Sequence, residues 1–297
     1  MSRVLTEAVP ATFVAAAFYN IAPIVEASAG RRYEEGSGIG LGLLVRLARD
    51  PVWLVGFACE IGGFAFEVIA LTLAPLLLVQ PLLASGLVLL VLGSGLFLGE
   101  RLTGLGAAGM VTLSAGVVLL TVAVGPEPPG AVLPDAEALV FTVAAAGALT
   151  ALLAYLAGRS LGTGHTVEAG ALFGAAAGVC YTVAAVATRY VGVQVHRFGG
   201  GFVSHVMAGP GPYLLAAASV VATALLQRAM QSGSTLAAIP TSTSVAAVLP
   251  VPAGIFLFQE NVPAGGRFVA FVAALVLTLA GASALGSQRG VVKILSA

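Results

Sequence analysis

The sequence predicts an all-α polytopic membrane protein of about nine transmembrane helices in two inverted repeats. Three observations carry that prediction. Hydrophobic residues make up 59% of the 297 positions and charged residues 9%, whereas a soluble domain is about 25% charged; the mean hydropathy is +1.03. Apolar runs of about 20 residues, the length that crosses a hydrocarbon core of about 30 Å, recur along the whole chain. An offset of 160 residues lays the first part of the chain on the last.

The runs, taken in order, are 9–29, 52–73, 76–98, 103–124, 136–157, 166–189, 211–230, 235–258 and 265–286. Arg3, the first run and Ala27-Ser28-Ala29 imitate a signal peptide, but Asn20, Pro23 and Glu26 interrupt its apolar core, so the segment reads as a membrane helix. The stretch 31–50 carries Arg31, Arg32, Arg46 and Arg49 around a short glycine-rich patch and reads as a loop or interfacial helix. The stretch 125–135 has four prolines and no basic residue, and reads as an extended loop. The loop 193–210 holds His196 and His205. The expected division is a repeat over 1–124, a Pro-rich loop and linker helix over 125–160, and an inverted repeat over 161–297.

An odd number of spans places the two ends on opposite sides, and the basic residues choose which. Arg31, Arg32, Arg46, Arg49, Arg101, Arg159, Arg228, Arg289 and Lys293 fall on one side, and Arg3, Arg189, Arg197 and Arg267 on the other. The expectation is a multi-pass protein of the cell membrane with its N-terminus outside and its C-terminus cytoplasmic. The 13 basic and 13 acidic residues balance, which offers no electrostatic basis for a nucleic-acid partner. The expected surroundings are the lipid bilayer. Cys59 and Cys180 lie in apolar runs without a CxxC spacing and read as packing residues.

The repeat is read from matched positions. Phe13-x-Ala15-Ala16-Ala17 meets Phe173-x-Ala175-Ala176-Ala177, Trp53-Leu54 meets Tyr213-Leu214, Glu67 meets Gln227, and Glu100 meets Glu260, with no gap between the first pair and the last. Five spans separate equivalent helices, so the copies cross the membrane in opposite directions. Inverted repeats with a site between them near the bilayer midplane are characteristic of secondary transporters.

The segment 70–101 reads A-x-x-x-A-P-x-x-L-V-Q-P-L-L-A-S-x-L-V and ends in F-L-G-E-R-L. It resembles the drug/metabolite transporter (EamA-like) superfamily, and Glu260 repeats its acid in the second half. The pairs Ala74-Pro75, Leu78-Val79, Pro81-Leu82 and Phe97-Leu98 are most similar to the branch of NIPA-type magnesium transporters. The resemblance is close over 70–120 and loose elsewhere. Pro240-Thr241-Ser242-Thr243-Ser244 departs from the apolar pattern after Gln80, and Asn261 follows Glu260 where the motif has arginine. The resemblance implies a transporter that moves a small polar solute or a cation by alternating access; a divalent-cation (Mg²⁺) transporter is the alternative, and a non-transporting membrane assembly partner the third reading.

Glu60 and Glu67 are the strongest chemical signal. Seven residues apart, they share a helix face, and each acid near a helix centre costs about 2.5–3.5 kcal/mol to insert. They are the candidate substrate-binding acids and the candidate ligands for a metal ion, because hydrated Mg²⁺ needs only one or two carboxylates. An ion pair between Glu60 and Arg228 is the structural alternative. Asn20, Gln80, Gln227, Thr241 and Ser242 complete the candidate substrate site: Gln227 is the repeat partner of Glu67, and Pro81 and Pro240 break helices beside Gln80 and Thr241. No resident cofactor is expected, with Mg²⁺ or H⁺ entering as substrate or coupling ion. Glu26, near Arg31 and Arg32, and the helix-end acids Glu100 and Glu260 read as interfacial ion pairs or caps. His165, His196 and His205 all fall in predicted loops with no nucleophile or acid cluster beside them, so no catalytic residue is expected and the chain does not read as an enzyme. Gly170, Gly174 and Gly178 form a GxxxGxxxG stripe that predicts a close helix contact, within the chain or across a homodimer. The expected cavity is lined by spans 1, 2 and 3 and spans 6, 7 and 8.

Overall fold

The computed structural model describes residues 4–30, 49–89, 104–124, 132–232 and 235–286. No strand occurs among them, and the chain is helical with short joints. The basic residues of 31–48, Glu100, Arg101 and most of the Pro-rich loop lie outside the described residues, as do the side chains of Glu26 and Gln227.

A π-helical turn, Val4–Ala8, leads into α1 (Val9–Gly30). Asp50 starts α2 (Pro51–Leu73) as an N-cap, its carboxylate accepting from the Val52 and Trp53 amides at 2.8 and 3.2 Å, with Pro51 in the first turn, where its missing N–H costs nothing. The residue before a proline is driven out of the α region. Ala74 is accordingly extended at φ −138°, ψ 155° before Pro75, and this breaks the chain into α2 and α3 (Leu76–Leu83). Then come α4 (Gly104–Val124), α5 (Ala136–Gly162) and α6 (Thr166–Phe198). A 3₁₀ turn at Gly199–Gly201 and the short α7 (Phe202–Ala208) connect to α8 (Gly211–Ser232). Last are α9 (Thr235–Val248), α10 (Pro250–Leu257) and α11 (Gly266–Gly286). Pro250 opens α10 as Pro51 opens α2.

Over the residues described the apolar runs are largely helical, with turns at Ala84, Ser85 and Leu249. Six stretches are long and apolar enough to cross a membrane by length and composition: Pro51–Leu73, Gly104–Val124, Ala136–Gly162, Thr166–Phe198, Ala237–Leu257 and Gly266–Leu285. Leu76–Leu89 and Gly211–Leu226 are shorter apolar helices.

Two boundaries differ from the sequence reading. The sixth run was expected to end at 189, with Arg189 among the loop cations; α6 continues to Phe198, and Arg189 is buried within it. Tyr190 to Val195 continue the helix because they remain largely apolar, and Gly199, at φ 49°, stops it. The expected loop 193–210 is therefore mostly helical, with His196 on α6 and His205 on α7.

α6 is the central pillar, with α5, α8 and α9 packed along it and α2 crossing it. α1 packs on α2, and α4 packs on α11. Glycines set the close approaches. A Cβ at Gly116 would lie 2.6 Å from the Thr278 amide, and one at Gly109 would meet Ala284, so α4 and α11 touch backbone to backbone. The glycine stripe of α6 works within the chain: a Cβ at Gly178 would stand 2.8 Å from the Ser242 carbonyl, and one at Gly174 would collide with that of Ala238. The core fills the centre with Leu71, Leu76, Leu77, Leu78, Leu82 and Phe258, each at most 1% exposed.

Candidate functional site

A cavity of about 260 Å³ lies among α1, α3, α6, α8 and α9. Its polar wall is Tyr19, Asn20, Gln80, Tyr181, Ser242 and Thr243; its apolar wall is made mainly by Leu83, Leu87, Leu226, Ile239 and nearby alanines. Helices from both ends of the sequence contribute.

Glu67 stands behind that wall. Its side chain projects from α2 and is buried, with Tyr19 Oη donating to one carboxylate oxygen at 2.7 Å and Gln80 Nε2 to the other at 2.8 Å. The geometry has local causes. Gly63 lets the Tyr19 ring lie flat on α2, since a Cβ there would come within 2.9 Å of Tyr19 Cδ1, and Phe18 stacks on Phe66 at 5.9 Å between centroids to hold α1 against α2. Gln80 is delivered by the break at Pro75, which turns α3 back toward Glu67. Glu67 was expected to face the cavity directly; it lies behind the wall, in contact with two side chains that line it.

Asn20, Gln80 and Ser242 from the expected site line the cavity together. Asn20 Nδ2 donates to the Ala16 carbonyl at 2.8 Å, and the missing side chain at Gly86 gives it room. Thr241 is turned to its own helix, donating to the Ala237 carbonyl at 2.7 Å, while the neighbouring Thr243 is on the wall. Glu60 lies two turns before Glu67 on α2 and is exposed. Among the described residues no group of three or more His, Cys, Asp or Glu gathers, and both oxygens of Glu67 already accept from donors. A cation at Glu67 would share the carboxylate with the Tyr19 and Gln80 donors.

The arrangement suits proton exchange. As a carboxylate Glu67 accepts from a phenol and an amide; protonated, it becomes a donor, and Gln80 must turn its carbonyl oxygen toward it. One proton thereby re-aims a group on the cavity wall.

A second polar cluster lies at the break between α2 and α3. Glu260, just after α10, is buried, and its oxygens accept the Leu76 and Leu77 amides at 2.6 and 2.9 Å, satisfying the first turn of α3. Arg189 Nε stands 3.2 Å from Glu260. Arg189 Nη1 donates to the Leu71 carbonyl and, at 3.2 Å, to that of Ala74, the last carbonyls of α2. Its guanidinium lies over the Phe258 ring at 5.7 Å. Glu260 was expected as an interfacial ion pair or cap; it both caps α3 and pairs with Arg189, and does so buried inside the protein.

Tyr19, Tyr181, Arg189 and the depth of Glu260 escaped the sequence reading. The apolar residues after Arg189 were the signal for its burial. Comparison of the chain with protein-family models, with curated proteins and with solved structures returns no match. The resemblance to the drug/metabolite transporters therefore rests on the residues of the chain itself.

Proposed function

We propose that the chain is a multi-pass membrane transporter of the drug/metabolite type, moving a small polar solute by alternating access with Glu67 as its proton-exchanging residue. The carrying observation is the cavity between helices of both halves, backed by a buried carboxylate whose two hydrogen-bond donors form part of its wall.

One pair of helix starts supports the inverted-repeat reading. The helix beginning at Pro51 is answered by the helix beginning at Gly211, at the 160-residue offset. The packing supports it as well: α1 packs on α2 as α6 packs on α8, and α4 packs on α11, its own counterpart across the pseudo-axis. In this reading nine spans cross the membrane, and rocking of one repeat on the other opens the cavity to each side in turn.

The wall indicates the cargo. Its polar groups are hydroxyls and amides beside an apolar half, and ligand pockets commonly enclose about 300–1,000 Å³, so a compact solute with a few hydrogen-bonding groups and an apolar part fits best. Proteoliposomes with an imposed pH gradient, challenged with a panel of labelled amino acids, small amines, polyols and Mg²⁺, test the reading. Proton-linked movement of an organic solute is the expected result. Flux of Mg²⁺ alone would transfer the chain to the NIPA-type reading, and flux of nothing in either gradient direction would overturn transport.

A further inference from the structure

We propose that Arg189 and Glu260 form the gate that closes one end of the cavity, and that the pair separates each time the cavity opens to that side. The proposal rests on the transporter reading above and adds to it the residues that hold the resting state shut.

Three helices fix the position of the pair. On α6, Tyr181 faces the cavity and Arg189 follows eight residues later, about 12 Å along the axis at 1.5 Å per residue. On α9 the cavity takes Ser242, Thr243, Ala246 and Ala247, and the chain then runs through α10 to Gly254, against which the Glu260 carboxylate rests. α3 runs the opposite way, with Leu76 and Leu77 at the pair and Gln80 to Leu87 on the cavity. The pair thus lies beyond one end of the cavity. Leu76, Leu77 and Phe258, none of them exposed, fill the space around it.

The bonds made there join the halves. Arg189 and Glu260 belong to the second half, and the Leu71 and Ala74 carbonyls and Leu76 and Leu77 amides to the first. All four backbone groups are helix ends exposed by the break at Pro75. Releasing them costs no hydrogen bond inside α2 or α3, and water entering an opened end can satisfy them.

The cation is also incompletely satisfied. Arg189 is 1% exposed, yet Nη2 has no hydrogen-bond partner among the described residues, and Nε meets Glu260 as an ion pair outside hydrogen-bond geometry. A permanent staple would be expected to use these donors, because a buried guanidinium with idle N–H groups pays desolvation without full return. A contact that must break in every cycle is better left short of its maximum.

The test uses the full chain carrying Cys59→Ser and Cys180→Ser in vesicles of one orientation, with Thr243→Cys on the cavity wall as the reporter and a membrane-impermeant maleimide as the probe. The reporter is expected to label from one side. Adding Glu260→Gln, or Gly254→Ala, whose new methyl collides with the Glu260 carboxylate, is expected to raise labelling from the other side by about tenfold as the open population grows. Far-side labelling unchanged in both folded variants overturns the gate and leaves the transporter reading standing. A reporter that labels from neither side removes the cavity, and the transporter reading and the gate fall together. If neither variant folds, amide exchange on the unaltered chain decides: faster exchange at Leu76 and Leu77 than in the middle of α2 supports the gate, and equal protection overturns it.

Discussion

The Tyr19 phenol donates to the Glu67 carboxylate across 2.7 Å, joining α1 to α2 behind the cavity wall. With Gln80 on the other oxygen at 2.8 Å, the acid is held by two side chains that face the cavity. Glu67→Gln keeps the shape of the group and removes the exchangeable proton. Solute uptake into proteoliposomes is expected to lose its dependence on an imposed pH gradient, while solute exchange at equal pH persists. Uptake by the variant that still follows the gradient would remove Glu67 from the coupling step.

Tyr19→Phe leaves the ring against Gly63 and deletes only the hydroxyl. A hydrogen bond to a charged group contributes about 1.5–3 kcal/mol, so the variant is expected to lose about that much stability and to unfold at a lower temperature in detergent. In Glu67→Gln the acceptor is already neutral. Tyr19→Phe added to it is expected to cost less, about 0.5–1.5 kcal/mol. Equal costs in the two backgrounds would mean that the phenol acts by packing alone.

The all-helical, membrane-like character of the chain was legible because its causes are local. Bilayer thickness sets run length, and Pro75 parts the second and third runs through its own stereochemistry; the breaks expected at Pro81 and Pro240 do not occur, since both prolines lie inside helices, α3 and α9. Asn20, Gln80 and Ser242 stood out in the sequence because a polar group in an apolar run is costly, and the three line one cavity. What was hidden depends on tertiary contact. Nothing near Arg189 in sequence announces that Glu260, from a distant loop, will meet it at 3.2 Å. Nor does a tyrosine in α1 signal a carboxylate on α2. Nor was it legible that Tyr19 and Gln80 would stand between Glu67 and the cavity.

Backbone contact between α4 and α11 gives a prediction independent of any site. A side chain at Gly281 would collide with the Leu113 backbone, whereas a Cβ at Gly104 meets nothing within 4 Å among the described residues. Gly281→Val is expected to cost at least the 1–3 kcal/mol typical of overpacking, because backbone on a facing helix cannot move aside as a side chain can. Gly104→Ala should stay within about 0.5 kcal/mol of the parent. Thermal unfolding in detergent measures both, and similar values for the two would show that the α4–α11 contact is looser than described.

The Arg189–Glu260 pair makes the last prediction, a double-mutant cycle. Arg189→Met leaves the Glu260 carboxylate buried without a cation, and stranding one member of a buried pair costs about 3–5 kcal/mol. Glu260→Gln strands the guanidinium in turn and weakens the cap on α3, since an amide offers one acceptor oxygen where the carboxylate offered two to the Leu76 and Leu77 amides. With both changes no charge remains buried, and one of those amides can still find the Gln oxygen. The double variant is therefore expected to be more stable than the sum of the single losses implies, by a coupling of about 0.5–3 kcal/mol. Denaturant unfolding of the four proteins in one detergent measures it. Strictly additive losses would mean that the two residues stabilise the joint separately, each through its own bonds to the α2 and α3 ends, and that their charges do not act as a pair.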